Sequence, residues 1–524
     1  MDDSGREGQR AAAERPYADA GAGRARLAQL VHWALCPLGV QRDEVCPESV
    51  ERAHRTAVLV LAGTGGFMTA LDASIVNISL PSIARSFGVP LAGEVEWVIT
   101  AYLVSIATVL LTVARLADMI GRKPIFVGGL VVFTIGSMGC GAAPSLGWLL
   151  AARAFQGLGA SLIFAVNIAM ITHAFPPWAR GRALGANAIL VALGVSFGPT
   201  LGGVITERLS WRWIFYVNVP VGALVTLAAI AVLTERRRLT AARFDPAGAV
   251  LLGVGLGGVT LGLSFGQEWG WTSAPILIAL SIGAACLVAV VFVERRVPSP
   301  LVSLALFRSR VFTFSLVSFV LCMLALFAVG FLLPFYFEEL RGLDAERAGL
   351  LLTPLSLTLA VVAPVSGALA DRYGSRWLSP VGLAVACLGL VLLSRLTATS
   401  STGEIIGCLM VTGLGQGLFS APNTHTLMAA APREAQGVAS GVLATGRVLG
   451  QSLSVALAGA VFSARGGAAA GDRLALVGSP LSEASLLATQ HTFVGAMSEA
   501  FLVCAVISAS GVVTALIRGD APRT

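Results

Sequence analysis

The chain has 524 residues, of which 56% are hydrophobic and only 12% charged, with a formal charge of +7. A soluble domain carries about 25% charged residues to face water, so a water-soluble fold of this length is excluded, and a mean hydropathy of +0.80 fits a surface facing hydrocarbon. The positive balance is arginine, Lys123 being the single lysine, and reads as membrane topology rather than nucleic-acid binding; this arginine and alanine bias suggests a GC-rich bacterial genome.

Residues 1–54 are polar and arginine-rich and do not resemble a cleavable signal peptide. Arg24 to Leu35 sets Leu27, Leu30, Val31, Ala34 and Leu35 on one helical face. That suits either a helix on the membrane surface or a disordered tail, and the shortness of the stripe favours the tail. Cys36 and Cys46, near His32 and His54, lack the close spacing of a zinc knuckle, so no metal is expected.

After Arg55, apolar runs of the ~20 residues a spanning helix needs recur at 57–79, 97–117, 125–143, 147–171, 183–205, 213–233, 246–266, 274–293, 312–336, 349–370, 377–394, 404–428, 437–462 and 493–516. An even count puts both termini on one side. Arg122-Lys123, Arg180/Arg182, Arg236 to Arg238 with Arg243, Arg295-Arg296 with Arg308/Arg310, and Arg372/Arg376 share that side with the leading tail. Positive loops stay inside, so both termini are expected in the cytoplasm of a multi-pass cell-membrane protein. Two matches are decoys. Gly253-Val-Gly255-Leu-Gly-Gly258 lies within an apolar helix rather than after a strand, and the sequon Asn77-Ile78-Ser79 ends a span.

The chain repeats itself. Ala114-Arg-Leu-Ala-Asp-Met-Ile-Gly-Arg-Lys123 returns as Gly367-Ala-Leu-Ala-Asp-Arg-Tyr-Gly-Ser-Arg376, and Gln156-Gly157-Leu158 as Gln416-Gly417-Leu418, at offsets of 253 and 260 residues. Six helices need only about 190 residues, leaving roughly 60 for an insertion. The expected architecture is an all-α integral membrane protein with a tail at 1–54, a six-helix bundle at 55–234, two inserted helices at 235–300, a second bundle at 301–516 and a tail at 517–524.

Four motifs follow in order: Leu71-Asp72-Ala-Ser-Ile-Val-Asn77-Ile-Ser-Leu-Pro81; Leu116-Ala-Asp118-Met-Ile-Gly121-Arg122-Lys123-Pro124; Arg153-Ala-Phe-Gln156-Gly157-Leu-Gly159-Ala160; and Gly194-Val-Ser-Phe-Gly198-Pro199-Thr-Leu-Gly202-Gly203. With the run Trp211 to Pro220, they resemble the fourteen-span drug:proton antiporters of the major facilitator superfamily over residues 57–516. The resemblance implies the major facilitator fold and export of small organic compounds. It also implies a gate in which Asp118, Gly121, Arg122 and Lys123, with Asp371 and Arg372 in the second copy, clamp helices in one conformation. Ala114 in place of the usual glycine, and Met119 where the second copy has Arg372, imply a looser first clamp.

Arg153 lies a few residues into the fourth span, in a stretch otherwise free of charge. A charge inside a span costs about 2.5–3.5 kcal/mol and normally faces inward with a partner. Snorkelling to the headgroups is the alternative, but Gln156 and Asn167 continue a polar stripe inward from Arg153 at ~100° per residue. Asp72 is the matching acid. A contact between the two that forms in one state and breaks in the other would exchange a proton with each cycle, so Asp72 and Arg153 are the expected proton-coupling pair. Gly413 stands where Arg153 would repeat at the longer offset, which places the charge chemistry in the first half. Glu94, Glu96, Glu207, Glu338, Glu339 and Glu499 are expected at the interfaces, as reserve proton carriers.

Gly194, Gly198, Pro199 and Gly202 suit a hinge or plain close packing equally. Asn77, Gln156, Asn167, Gln416, Arg447 and Gln451 are expected to line the cavity, Arg447 beside an anionic or hydrogen-bonding substrate. The expected partners are protons, lipid and a small amphipathic compound, without nucleic acid or cofactor, acting on a monomer. Proton-coupled uptake of a metabolite is the alternative. A membrane enzyme or sensor lacks any metal-spaced cluster, and no G-x-x-x-x-G-K-[ST] is present for ATP-driven transport.

Overall fold

The computed structural model describes residues 48–90, 94–234, 245–270, 272–296, 304–432, 436–475 and 483–519. The readings of Arg24 to Leu35, of Cys36 and Cys46, of Arg236 to Arg238 and of Arg243 lie outside the described residues, as do the side chains of Asp118, Arg180, Arg182 and Asp371. Each apolar run is a helix. They are α1 Glu48–Phe87, α2 Trp97–Ile120, α3 Arg122–Gly141, α4 Leu146–Ala174, α5 Pro177–Arg208, α6 Asn218–Val232, α7 Pro246–Trp269, α8 Ala274–Glu294, α9 Arg310–Phe335, α10 Ala345–Tyr373, α11 Leu378–Leu393, α12 Thr402–Ala429, α13 Gln436–Ala464 and α14 Glu483–Ile517. Thirteen helices among the described residues are long and apolar enough to cross a membrane, and α11 is a shorter apolar helix. Leu224, Leu227, Val288, Phe292 and Val506 stand exposed on them, a surface that lipid accepts and water does not.

Two helices outrun their apolar cores. α1 is 40 residues long because it passes through Pro81 to bury Leu80, Ile83 and Ala84 before Gly88 ends it at φ 65°. α14 begins ten residues before its predicted span, after a short helix, Gly467–Ala475, that the sequence pattern did not mark. With spans alternating in direction, residues 48 and 518 reach the same end of the bundle, the terminal end. The turns after α1, α3, α5 and α9 lie at the far end.

The repeat is written into the packing. Gly121 at φ 107° and Gly374 at φ 84° close the doubled loop motif at the same place in each half, a backbone that glycine adopts without a Cβ penalty. A Cβ on Gly157 would press on the Tyr102 carbonyl, and one on Gly413 on the Leu355 carbonyl; Gly159 meets the Phe133 backbone as Gly415 meets that of Ala386. Asn167 donates to the Ala62 carbonyl at 2.6 Å and Asn423 to the Ser315 carbonyl at 3.0 Å. These matched contacts set the register: α1–α3 map onto α9–α11 at 253 residues, and α4 maps onto α12 at 256. The Gln156/Gln416 echo at 260 is therefore one helical turn out. The counterpart of Gln156 is Thr412, and that of Arg153 is Leu409 rather than Gly413. A slip of four residues keeps the helix face, which is why the sequence echo hid it.

The inserted helices pack on each other, with Gly258 against the Ala279 carbonyl and Gly283. α7 also rests Gly253 and Gly257 on Thr108 of α2 and touches α13.

Candidate functional site

Glycine contacts bring α1, α2, α3, α4 and α6 close enough for their polar groups to meet. Gly136 of α3 lets the Gln156 backbone approach, since a Cβ there would lie 2.7 Å from the Gln156 Cα. Gly157 does the same between α4 and α2, and Gly141 admits the Tyr216 ring just ahead of Asn218.

At their meeting point Arg153 and Asp72 form an ion pair, Nη1 to Oδ2 at 2.6 Å, with the side chains 1% and 0% exposed. Further hydrogen bonds hold both partners. Arg153 donates from Nε to the Val98 carbonyl at 2.8 Å and from Nη1 to Gln156 Oε1 at 2.7 Å. Asp72 Oδ1 accepts from Gln156 Nε2 at 2.8 Å and from Asn218 Nδ2 at 3.0 Å, while Gln156 Nε2 also donates to Ser137 Oγ at 2.7 Å. Cys140 Sγ lies 3.6 Å from Gln156 Oε1. The guanidinium stacks over the Tyr102 ring at 4.2 Å, with Phe215 at 5.6 Å. A buried pair offsets its desolvation only with additional hydrogen bonds of this kind. Opening it exposes one carboxylate and one guanidinium together.

The structure thus joins Asp72, Arg153 and Gln156 but separates the other candidates. Gln156 is sealed inside the pair rather than set on a cavity wall, because Asp72 and Ser137 take its amide. Asn167 lies four turns further along α4 and binds the Ala62 carbonyl. Asn77 is buried near the far end with its Oδ1 unpaired. Gln416 and Gln451 are half-buried, and Arg447 is exposed although eleven residues into α13. Gly194, Gly198 and Gly202 all press on α1, at Phe67, Ser74 and Ile75 respectively, and α5 runs unbroken through Pro199. That contact is tight packing between α5 and α1.

Of the gate residues, Arg122 donates to the Ala169 carbonyl and Lys123 to the Ile230 carbonyl, both at 2.9 Å. They dock near the C-terminal ends of α4 and α6 within their own half, and the Ile230 carbonyl is among the last four of α6, which lack helical partners. Arg372 is exposed.

At the far end the halves meet. Arg85 of α1 holds Glu338 at 2.7 Å and Glu339 at 3.4 Å, both glutamates being buried on the π-helical turn Tyr336–Leu340 that ends α9. Arg85 and Glu338 occupy equivalent positions of the repeat, 253 residues apart. Arg208 of α5 pairs with Glu346 of α10 at 2.7 Å, Thr200 meets Thr353 at 2.6 Å, and Glu96 closes on Gly459. Glu499 pairs with Arg465 at the surface.

Several functional positions escaped the sequence reading. Asn218, Ser137 and Tyr102 complete the Asp72 site. Asn218 sat in a quoted motif as the one amide of an apolar run, a signal that could have been read. Arg518, assigned to the terminal tail, is buried and donates to Asn423 Oδ1 and the Ser375 carbonyl, each at 3.0 Å.

The family profile described as Major Facilitator Superfamily matches residues 62–455. "Multidrug resistance protein Stp" of Mycobacterium tuberculosis (strain CDC 1551 / Oshkosh) is 35% identical over 414 residues, covering 78% of this chain and 77% of its own length. "Riboflavin transporter RibZ" of Clostridioides difficile (strain 630) is 33% identical over 414 residues, covering 78% of this chain and 87% of its own. The crystal structure of a bacterial homolog of the human lysosomal transporter Spinster, inward-facing and unoccupied, superposes with a TM-score of 0.62 at 15% identity, covering 89% of this chain and 97% of that one.

Proposed function

The chain belongs to the major facilitator superfamily and is a transporter rather than an enzyme, and from that premise we propose that it exports small organic compounds in exchange for protons. The observation that carries the proposal is the sealed Asp72–Arg153 pair. Asp72 needs its charge only while Arg153 and Asn218 hold it. When the helices of the first bundle shift during the cycle and the contact opens, the carboxylate takes up a proton, and reclosure expels it. Rocking of two bundles about a midplane site supplies the alternating access, with the Arg122/Lys123 loop as gate, the monomer as unit, and the proton gradient instead of any cofactor.

Arginine-rich loops put the terminal end in the cytoplasm of the cell membrane, so the far end, closed by Arg85, Glu338 and Glu339, faces outward. Multidrug resistance in the Stp relative supports drugs or antibiotics as substrates. The test uses proteoliposomes holding a preformed ΔpH and a panel of amphipathic drugs. A substrate should collapse the gradient in wild type. Asp72→Asn should lose that collapse while retaining substrate exchange at zero gradient. Gradient collapse by Asp72→Asn at the wild-type rate would sink the coupling role.

A second reading is proton-coupled movement of a metabolite, favoured by the riboflavin transporter relative. It predicts accumulation of riboflavin, but not of drugs, in right-side-out vesicles.

A further inference from the structure

Once Asp72 is neutralised by Arg153 and Glu499 by Arg465 at the surface, the charges left within the described apolar runs are positive, apart from the exposed Glu404 in the first turn of α12. Arg447 is one and Arg115 the other. Arg447 sits eleven residues into α13, its head group over the ring of Phe319 on α9 at 5.6 Å. Phe319 is buried, and the neighbouring Gly446 packs on Val320 and Leu316 of the same helix. The side chain therefore points between helices and away from lipid. Its head group is exposed, and α13 packs on α2 of the other half, where Gly441 meets Leu111, so it lies beside the seam between the two halves.

No carboxylate and no hydrogen-bond acceptor reaches its guanidinium among the described residues, in contrast to Arg153. The same face of α13 carries Ser440, Gln451 and Ser454, and Ser454 Oγ is buried without a partner. In the first half the packing register puts Val191 at the equivalent position, resting on Gly66 as Arg447 rests on Phe319. The charge is thus an addition to the repeat and not a part of its framework. Arg115 lies one turn toward the terminal end from Leu111, which abuts Gly441 of α13, so a second cation flanks the approach.

An unpaired guanidinium inside a span is costly to insert, and a ligand oxyanion offsets that cost as a charge-assisted pair. Resting on the transport reading above, we propose that Arg447 anchors an anionic group of the substrate, a carboxylate or similar oxyanion, and that the protein selects amphipathic organic anions over lipophilic cations. Phe319 and the helix walls take the apolar body, and Gln451 with Ser454 supplies hydrogen bonds.

Binding is measured on the purified full chain in detergent, by fluorescence anisotropy, with two xanthene dyes of similar shape: anionic carboxyfluorescein and cationic rhodamine ethyl ester. Wild type should bind the anion more tightly than the cation. Arg447→Gln should weaken anion binding about tenfold or more, Arg447→Lys should recover part of it, and both variants should elute as folded monodisperse protein. Equal or tighter binding of the cation by wild type, no binding of the anion, or unchanged anion affinity in Arg447→Gln would overturn the assignment. Because binding needs no gradient, failure of proton coupling leaves this result readable on its own.

Discussion

At the scale of single residues, the Asp72–Arg153 pair separates structural from transport roles. Removing one partner strands a buried charge, at a cost of about 3–5 kcal/mol. Asp72→Asn and Arg153→Gln should therefore each lower the thermal midpoint of the purified protein. The double variant, with no charge to strand and amides at both positions, should recover most of the loss. It should still fail to couple transport to a gradient, since no carboxylate remains at the site. A double variant no more stable than the singles would mean that packing, not charge, dominates the site. The pair was legible in the sequence because a charge inside an apolar run demands a partner and Asp72 stood at a matching depth in the same half. Ser137 and Tyr102 were not, because serine and tyrosine are ordinary in membrane helices, and Asn218, though the one amide of its run, had no visible partner. Only three-dimensional convergence of α2, α3 and α6 gives them a role. Arg447 was legible as a charge, but its lack of a partner was not.

At the scale of helices, hydropathy located all fourteen segments because membrane helices must satisfy their backbone internally and bury apolar runs of fixed length. It could not locate their ends. α1 continues through Pro81, and α14 starts within polar residues, since helix bonding outlasts the apolar core. The repeat was visible, yet its register was set by glycine contacts that a competing Gln-Gly-Leu echo hid: Gly157 matches Gly413, and Gln156 matches Thr412. The same packing shows why the halves diverged. At the places of Asp72 and Arg153 the second half has buried Ala325 and Leu409. Between helices of opposite halves, α5 and α10 touch where Thr200 meets Thr353 at 2.6 Å and Gly349 admits the Pro199 carbonyl. A cysteine pair at these threonines falls within disulfide reach. Thr200→Cys with Thr353→Cys should cross-link under mild oxidation and stop transport, and reductant should restore it. Full transport by the cross-linked protein would show that this far-end contact need not open.

For the whole molecule, the two seams between the halves should be equivalent if only the twelve repeated helices mattered. They are not. In the α5/α10 seam the most apolar window of each helix is 22% buried, whereas in the α2/α13 seam the values are 67% and 50%. The inserted pair makes the difference, because α7 lays Gly253 and Gly257 on Thr108 of α2 and touches α13, and Phe265 stacks between Trp97 and Trp269 at the far end. One seam is walled off from lipid and the other is left bare, so an amphipathic compound dissolved in the bilayer meets the transporter from the α5/α10 side. Spin labels read this directly through collisions with oxygen, which concentrates in lipid. Labels replacing Phe197 on α5 and Leu357 on α10, both exposed, should relax rapidly. A label replacing Thr108 should relax slowly, and excising residues 245–296 should raise its rate to that of the other two. If Thr108 proved as accessible as Phe197 with α7 and α8 in place, the insertion would not be a wall. The route from lipid would then have to be sought on both sides.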